Sequence, residues 1–206
     1  MTDAKPTPDP TDVSRETHEM LQDYLGLLGK WNKTINLVAA STMPNAWERH
    51  ILDSWQVYPL ASASWTSWMD VGSGGGLPGI VVAILAHADN ARHITLVESD
   101  TRKSTFLRTV KRELGLSCDI LNDRIEYIAP QNVDVITARA FAPLSKLLNQ
   151  VAPHVSPQTQ LILLKGQAAD DEIKQAQAIW SFDVTAKPSI TDPNASLLII
   201  RDLSRA

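Results

Sequence analysis

The sequence has one cysteine, no apolar run of membrane-spanning length and no secretory signal, and each absence excludes a class of protein. A single cysteine, Cys118, excludes an internal disulfide, and we predict that it is a small buried residue of a strand rather than a nucleophile. The first residues, MTDAKPTPDPTD, lack the basic start and apolar middle of a signal peptide. We therefore expect a cytoplasmic protein that does not enter the membrane. Because no clustered Cys/His spacing is present, we also expect no metal ion.

Charge is unevenly distributed along the chain. The net charge is -4, and residues 1–23 hold six acids against Lys5 and Arg15, so the remaining body is neutral. Within that body, residues 101–114 carry five cations against Glu113, a local excess that would suit a surface facing phosphates. Charge alone fits the solvated face of an amphipathic helix better. The five cations are Arg102, Lys103, Arg108, Lys111 and Arg112.

The pattern of apolar residues divides the 206 residues into three parts. Residues 1–12, with three prolines and no periodicity, are predicted to be a flexible acidic tail. Helical spacing from about Ser14, and a second helix beginning at 41–43 that carries Trp47 and Trp55, predict an N-terminal helical cap over 13–60. Residues 61–206 then form the main domain, in one compact unit with the cap. We expect a monomer, given the neutral body and modest size.

Strands alternate with helices in that main domain. Short apolar segments at 68–71, 94–97, 133–138 and 161–164 predict strands, and the segments at 78–87, 101–114, 143–151 and 169–179 predict helices. This alternation is typical of a doubly wound α/β fold with a parallel sheet covered on both faces. Segments 182–186 and 197–200 predict an antiparallel hairpin at the sheet edge.

The stretch DVGSGGGLPGI, residues 70–80, joins the first strand to the following helix and indicates a ligand held against bare backbone. Amide groups at the start of that helix would face an anion. A nucleoside triphosphate loop is excluded, since no Lys-Ser or Lys-Thr follows the glycines. A dinucleotide fingerprint at Gly74, Gly76 and Gly79 begins two residues late and is weak evidence. S-adenosylmethionine fits better, because its loop has the form D-x-G-x-G-x-G, met by Asp70, Gly72, Gly74 and Gly76.

Three further strings carry a resemblance to a known family: WNKTINLV at 31–38, ERHILDS at 48–54 and RAFAPL at 139–144. With the glycine loop they resemble the RsmG family, also called GidB, the bacterial small-subunit ribosomal RNA guanine-N7 methyltransferases. The similarity is colinear over about 31–166 and departs at Gly75, where the family usually has alanine or proline. It implies a class I S-adenosylmethionine-dependent methyltransferase fold with a mostly parallel, seven-stranded sheet. It also implies methylation of 16S rRNA in the small ribosomal subunit, at a guanosine of the 530 loop.

The resemblance also implies a cofactor site. Glu98, which ends the second strand, would accept hydrogen bonds from the ribose hydroxyls, although an acid that caps the next helix explains it nearly as well. Ile125 would lie beside the adenine, with a core residue as the alternative. Arg139 would pair with a cofactor carboxylate or an RNA phosphate, with Asp70 as the structural alternative. The implied set is Gly72 and Leu77 in the loop, Glu98, Ser99 and Asp100, then Ile125, Glu126 and Arg139.

The fourth strand leads into RAFAPL rather than the Asn/Asp-Pro-Pro-Tyr string of many amino-methyltransferases. Guanine N7 has an exposed lone pair and no proton to lose, so we expect no general base. Alignment of the reactants and exclusion of water would suffice. Candidate substrate-positioning residues are His50, Asp53, Asn36, Arg139 and Lys165, and Phe141 is a candidate for stacking on a base. Helix-surface pairs, buried hydrogen bonds and core packing are the alternatives for these residues.

Two other functions stay open at this point. A methyltransferase for small molecules would use the same loop, and a noncatalytic ribosome-assembly module would bind the cofactor without turnover. Activity on small ribosomal subunits rather than on free nucleosides separates the first of these from the RNA enzyme.

Overall fold

The computed structural model of the protein describes residues 13–206, and the predicted tail at 1–12 lies outside the described residues. One sheet of seven strands forms its centre, in the order β3-β2-β1-β4-β5-β7-β6. The strands are β1 (Ser67–Val71), β2 (His93–Val97), β3 (Cys118–Leu121), β4 (Val133–Arg139), β5 (Val155–Lys165), β6 (Trp180–Pro188) and β7 (Ser196–Arg205).

Strands β1 to β5 are parallel, and β7 runs antiparallel between β5 and β6. The predicted mostly parallel sheet with an antiparallel C-terminal hairpin is therefore confirmed. The predicted start of β5 at 161 was wrong, since the strand begins at Val155. Its first half, VSPQT, has no apolar pattern, and the hydroxyl of Thr159 donates to the carbonyl of Val133 in the neighbouring strand.

Helices cover both faces of the sheet. They are α1 (Arg15–Asn32), α2 (Asp53–Trp55), α3 (Gly79–Leu85), α4 (Thr101–Glu113), α5 (Leu144–Val151) and α6 (Ala169–Gln177). Alternation along β1 separates two cores: Trp68 packs with α1, α3 and α4 on one face, and Met69 packs with α5 and α6 on the other. Ser14 caps α1, since its side chain accepts a hydrogen bond from the amide of Thr17.

The predicted second helix of the N-terminal region is not one regular helix. A 3-10 helix (Ala40–Asn45) is followed by a π-helical segment (Trp47–Leu52) and the short α2. Pro44 has no amide hydrogen and sits inside the 3-10 helix, so a regular α-helical ladder cannot run through this region. The wider π turn places His50 and Asp53 together over the end of β4.

Cys118 is buried in β3, where burial raises the pKa of its thiol to about 11, as expected of a packing residue. Within residues 13–206, no helix combines the length and the hydropathy needed to cross a bilayer.

Candidate active site

The glycine loop leaves β1 at the carboxyl edge of the sheet, where the strand order reverses between β1 and β4. Gly72, Gly74 and Gly76 all have positive φ, at 68°, 56° and 89°, a region that costs energy for other residues. The amides of Gly72 and Ser73 donate to the carbonyl of Val97 at 2.9 and 3.0 Å, which ties the loop to the end of β2. The glycines are therefore needed for the path of the loop itself.

A cavity of roughly 360 Å³ opens beside this loop. Its walls come from the ends of β1, β2 and β4 and from the turn after β3. Among the lining residues, those predicted from the sequence to contact the cofactor or a base are Gly72, Gly74, Glu98, Ser99, Ile125, Glu126 and Phe141. Lys103, Arg124 and Lys146 also line the cavity. Six of the predicted cofactor residues therefore meet at one cavity.

Glu98 is a buried acid in the wall of this cavity. It is 7% exposed, and its two carboxylate oxygens accept hydrogen bonds from the amides of Gly74 and Asp100, both at 2.8 Å. These bonds fix the carboxylate at the wall and leave lone pairs for further donors. Glu98 does not cap the following helix. That position belongs to Asp100, whose side chain accepts from the amides of Arg102 and Lys103.

Ile125 and Glu126 lie in a single 3-10 turn, Ile125–Tyr127, that forms the far wall. Ile125 is buried and packs in the core with Val71 and Val97, so it serves both as a wall and as a core residue. His154 lies behind this turn, and its Nε2 donates to the carbonyl of Ile125 at 3.3 Å. Gln150 donates to the carboxylate of Glu126 at 2.6 Å, which lowers the pKa of that acid. Neither His154 nor Gln150 was singled out from the sequence, because neither belongs to a recognisable motif.

Asp70 does not line the cavity. Its side chain is fully buried beneath the loop and accepts from the Thr137 hydroxyl at 2.8 Å and from the Gly79 amide at 3.2 Å. Burial raises the pKa of Asp70 to about 6, although these hydrogen bonds oppose the rise. A side chain at Gly79 would lie 2.7 Å from this carboxylate, so only glycine allows the contact. Thr137, a polar residue in an otherwise apolar strand, is the partner that sequence reasoning missed.

Three other predicted cofactor residues also lie outside the cavity lining. The amides of Gly76 and Leu77 donate back to the carbonyl of Ser73 at 2.7 and 3.1 Å. Asp100 caps α4, as described above. The expectation of free amides at the start of the next helix was wrong, because Gly79 bonds to Asp70 and the amide of Ile80 bonds to Gly76.

Arg139 ends β4 and is held by the π-helical segment rather than by Asp70, which corrects the alternative considered from sequence. Its Nη2 donates to the carbonyl of Arg49 at 3.1 Å and to Nδ1 of His50 at 3.3 Å. Its Nη1 lies 3.1 Å from a carboxylate oxygen of Asp53, in an ion pair without the alignment of a hydrogen bond. Arg139 therefore faces a second cavity, of roughly 190 Å³, next to the first across Ala140.

The protonation of His50 follows from its partners. A guanidinium only donates, so Nδ1 accepts and the proton lies on Nε2, which donates to Oγ1 of Thr42 at 2.8 Å. Burial, followed by the nearby Arg139, lowers the pKa of His50 to about 4. The imidazole is therefore neutral near pH 7 and serves to orient Arg139.

Lys165 and Asn36 are placed differently from the other candidates. The ammonium of Lys165 donates to the carbonyl of Ala142 at 2.6 Å and to Glu172 at 2.8 Å, so it holds the segment after β4 while forming one wall of the second cavity. Glu172, which sequence reasoning did not single out, also accepts from the amide of Leu144 at 2.6 Å. Asn36 is exposed in the turn after α1 and lies outside the lining of both cavities.

Two walls of the site come from residues far apart in sequence. The ring of Phe141 lies over Gly72, where any Cβ would collide with it. On the other side, Asp53 accepts from the Thr191 hydroxyl at 2.6 Å and from Gln56 at 2.9 Å. Asp53 thus links the N-terminal region and the β6–β7 turn to Arg139.

The fold is that of known methyltransferases. Solved structures with similar folds include the mitomycin 7-O-methyltransferase MmcR, with a TM-score of 0.59 at 16% identity over 97% of this chain and 74% of that one. A SAM-dependent methyltransferase from Aquifex aeolicus gives a TM-score of 0.58 at 15% identity, over 76% of this chain and 92% of that one. At these identities the likeness shows the class I, Rossmann-like fold alone.

Sequence comparison goes further. The protein from Cereibacter sphaeroides named ribosomal RNA small subunit methyltransferase G is 46% identical over 194 residues, 94% of each chain. The protein of that name from Paramagnetospirillum magneticum is 44% identical over 193 residues, 94% of this chain and 92% of its own. The GidB family model, described as rRNA small subunit methyltransferase G, matches residues 17–197. The chain therefore belongs to the GidB family of ribosomal RNA small subunit methyltransferases.

Proposed function

We propose that this protein transfers a methyl group from S-adenosylmethionine to N7 of a guanosine in the 530 loop of 16S rRNA, guanine 527 in the usual rRNA numbering, and releases S-adenosylhomocysteine. The observation that carries the proposal is the meeting of Glu98, Ile125 and the bare backbone of Gly72 and Gly74 at one cavity, in a chain of the GidB family. Relatives at 44–46% identity are named for the rRNA of the small subunit, which supports the same substrate here.

The residues of the cavity fit this cofactor. Glu98, with its orientation fixed by two amides, would accept the ribose hydroxyls, and Ile125 would lie against the adenine while the backbone of its turn contacts the adenine edge. Gly72 and Gly74 allow the close approach of the methionine part. When bound, the sulfonium supplies an electrophilic methyl carbon. Arg139 stands at the border of this cavity and remains a proposed ligand for the cofactor carboxylate or an RNA phosphate.

No proton has to leave guanine N7, so the protein's task is alignment and exclusion of water. Holding the reactants in line contributes up to ~7 to 11 kcal/mol in favourable cases. Asp53 and neutral His50 both contact Arg139, so their proposed role is to position this cation rather than to accept a proton. Phe141 covers Gly72 and would exclude water from the reacting atoms. The second cavity, beside Arg139 and Lys165, is the proposed place for the guanine.

The proposal is tested in two steps. Calorimetry on the folded protein should register binding of S-adenosylmethionine or S-adenosylhomocysteine. Mass mapping of 16S rRNA from cells with and without the gene should then show loss of one methyl group at the 530 loop. Purified protein should methylate intact small subunits but not free nucleosides, and a comparison with naked rRNA would show whether the assembled particle is needed. An unchanged methylation map in the deletion strain would reject the assignment.

A further inference from the structure

Several cations on α1 and α4 have no acidic partner. Among residues 13–206, Lys30 and Lys33 at the end of α1 make no ion pair, and neither do Lys103, Arg108 and Lys111 on α4. Some other cations of the described residues are paired, Arg15 with Glu19 and Arg92 with Asp89 for example, whereas others such as Lys187 and Arg201 also make no ion pair. Unpaired charges on two neighbouring helices form a surface that attracts anions.

The two helices meet beside the cofactor loop. The rings of Trp31 on α1 and Phe106 on α4 lie 5.7 Å apart. The hydroxyl of Tyr24 on α1 donates to the carbonyl of Gly75 at 2.5 Å, and Leu28 packs on the same glycine. Because a helix with its side chains is about 10–12 Å across, the outer face of α1 lies roughly that far from the loop. An RNA segment on that face would be within one or two nucleotides of a base that enters the site.

The outer face of α1 also carries an open groove, of roughly 660 Å³, between this helix and the 3-10 helix at 40–45. Lys30 and Lys33 stand at its rim, and its described lining contains no acidic residue. At Gly26 the structure has no atom within 4 Å of where a Cβ would lie. The acids of α1, Glu16, Glu19 and Asp23, all precede this groove. The charge of α1 is therefore polarised, with its unpaired cations at the end that touches α4.

We infer that Lys30 and Lys33, together with the groove at whose rim they stand and with the unpaired cations of α4, form a surface that binds the phosphate backbone of the ribosomal RNA next to the methylated nucleotide. This inference rests on the proposed function and adds the place where the RNA runs. Lysines contact phosphates as point charges without regard to base. The surface supplies affinity and orientation, while the identity of the base is read at the active site.

Salt dependence tests the inference directly. The plot of log affinity against log salt has a negative slope, and each lost phosphate contact makes that slope shallower by about 0.7–0.9. The double variant Lys30→Gln with Lys33→Gln should therefore make it shallower by about 1.5 in total. We expect this change for binding to small subunits, with an unchanged affinity for S-adenosylhomocysteine. Lys30→Arg with Lys33→Arg should keep the wild-type slope. The matched control, Lys174→Gln with Arg201→Gln, removes two exposed charges from α6 and β7 and should leave the slope unaltered.

A second variant separates contact with RNA from helix stability. Gly26→Gln places a long side chain in the groove without a change of charge, and glutamine is a better helix former than glycine. The variant should have an equal or higher Tm and yet bind small subunits more weakly. An unchanged salt slope in the lysine variants, together with normal binding by Gly26→Gln, would overturn the inference and leave the lysines as stabilisers of the end of α1.

The same measurements distinguish this inference from the proposed function. If the wild-type protein bound subunits but methylated no RNA, the proposed reaction would be wrong, whereas the salt slopes would still test the surface. A further measurement is crosslinking from residue 30 or 33 to the small subunit, which should reach RNA. If the crosslinks went to a ribosomal protein instead, the surface would serve a protein partner and the inference would be wrong.

Discussion

Arg139 donates to Nδ1 of His50 at 3.3 Å, across 89 residues of sequence, and this contact joins the last residue of β4 to the π-helical segment. On its other nitrogen, Arg139 pairs with Asp53. Two motifs that are far apart in the chain, ERHILDS and RAFAPL, thus meet in one cluster between the two cavities. The position of this guanidinium depends on both motifs.

Replacing Arg139 by alanine should abolish methylation while the fold is kept. A misplacement of about 1 Å at a reacting site costs about a hundredfold, so complete removal of the cation should cost at least that. Asp53 would keep its contacts to Thr191 and Gln56, and circular dichroism should be unchanged. Arg92→Ala is the matched control, since Arg92 is also in an ion pair and similarly exposed, at 19% against 22%. Normal turnover by Arg139→Ala would remove this residue from the site.

Glu98→Gln should weaken cofactor binding and also lower Tm, because one backbone amide of the loop would lose its acceptor. Both carboxylate oxygens accept backbone amides, and an amide side chain would turn its NH₂ group toward one of these donors. A lost charge-assisted hydrogen bond contributes about 1.5–3 kcal/mol, so the Kd of S-adenosylhomocysteine should rise at least about tenfold. Calorimetry measures it. Asp100→Asn provides the comparison, because that residue caps α4 outside the cavity lining, and its Kd should change little.

The sequence predicted most of this architecture because apolar strands and glycine turns are local signals. Glu98 and Ile125 follow strands of a parallel sheet, so their arrival at one edge could be anticipated before the structure was known. The partners of Arg139 could not. Pro44 and the π turn set the orientation of His50 and Asp53, and no periodicity indicates such a turn. Asp70 was assigned to the cofactor site for a related reason, since an acid that precedes a glycine loop can lie beneath the loop as well as face a ligand, and only the contact to Thr137 shows that it lies beneath.

Two buried groups should give opposite pH dependences of stability. The pKa of His50 is lowered to about 4, so the unfolded chain binds its proton first as pH falls, and the free energy of unfolding drops between about pH 6.5 and 4. His50→Asn should lack this part of the acid destabilisation. Asparagine can still accept a hydrogen bond from Arg139, so the fold should persist at neutral pH. Urea unfolding of both proteins at several pH values measures the difference, and parallel curves would contradict the burial of a neutral imidazole.

The titration of Asp70 should have the opposite effect on stability, lowering the free energy of unfolding as pH rises. Burial raises its pKa from 3.8 to about 6, so the folded state holds its proton longer as pH rises, and the free energy of unfolding falls between about pH 4 and 6. For this fully buried carboxyl the fall is about 3 kcal/mol. Asp70→Asn removes the titration. The stability of the wild type minus that of the variant should therefore decrease as pH rises through this window, and a difference that is constant from pH 4 to 7 would show that the carboxyl titrates normally.

Gly72 and Phe141 provide a test of how closely the aromatic ring covers the glycine loop. Gly72→Ala places a methyl group against the ring of Phe141 and also forces alanine to a φ of 68°. Gly74→Ala shares the second cost, with a φ of 56°, but its Cβ would meet only a carbonyl oxygen at 3.8 Å. Backbone strain of this kind costs about 1–3 kcal/mol at either position. We therefore expect Gly72→Ala to lower Tm and cofactor affinity more than Gly74→Ala does.

Adding Phe141→Ala should recover the excess loss in Gly72→Ala and nothing in Gly74→Ala, because only the first change collides with the ring. Equal effects of Phe141→Ala in the two backgrounds, measured as Tm and as the Kd of S-adenosylhomocysteine, would show that the ring does not close over Gly72 in solution.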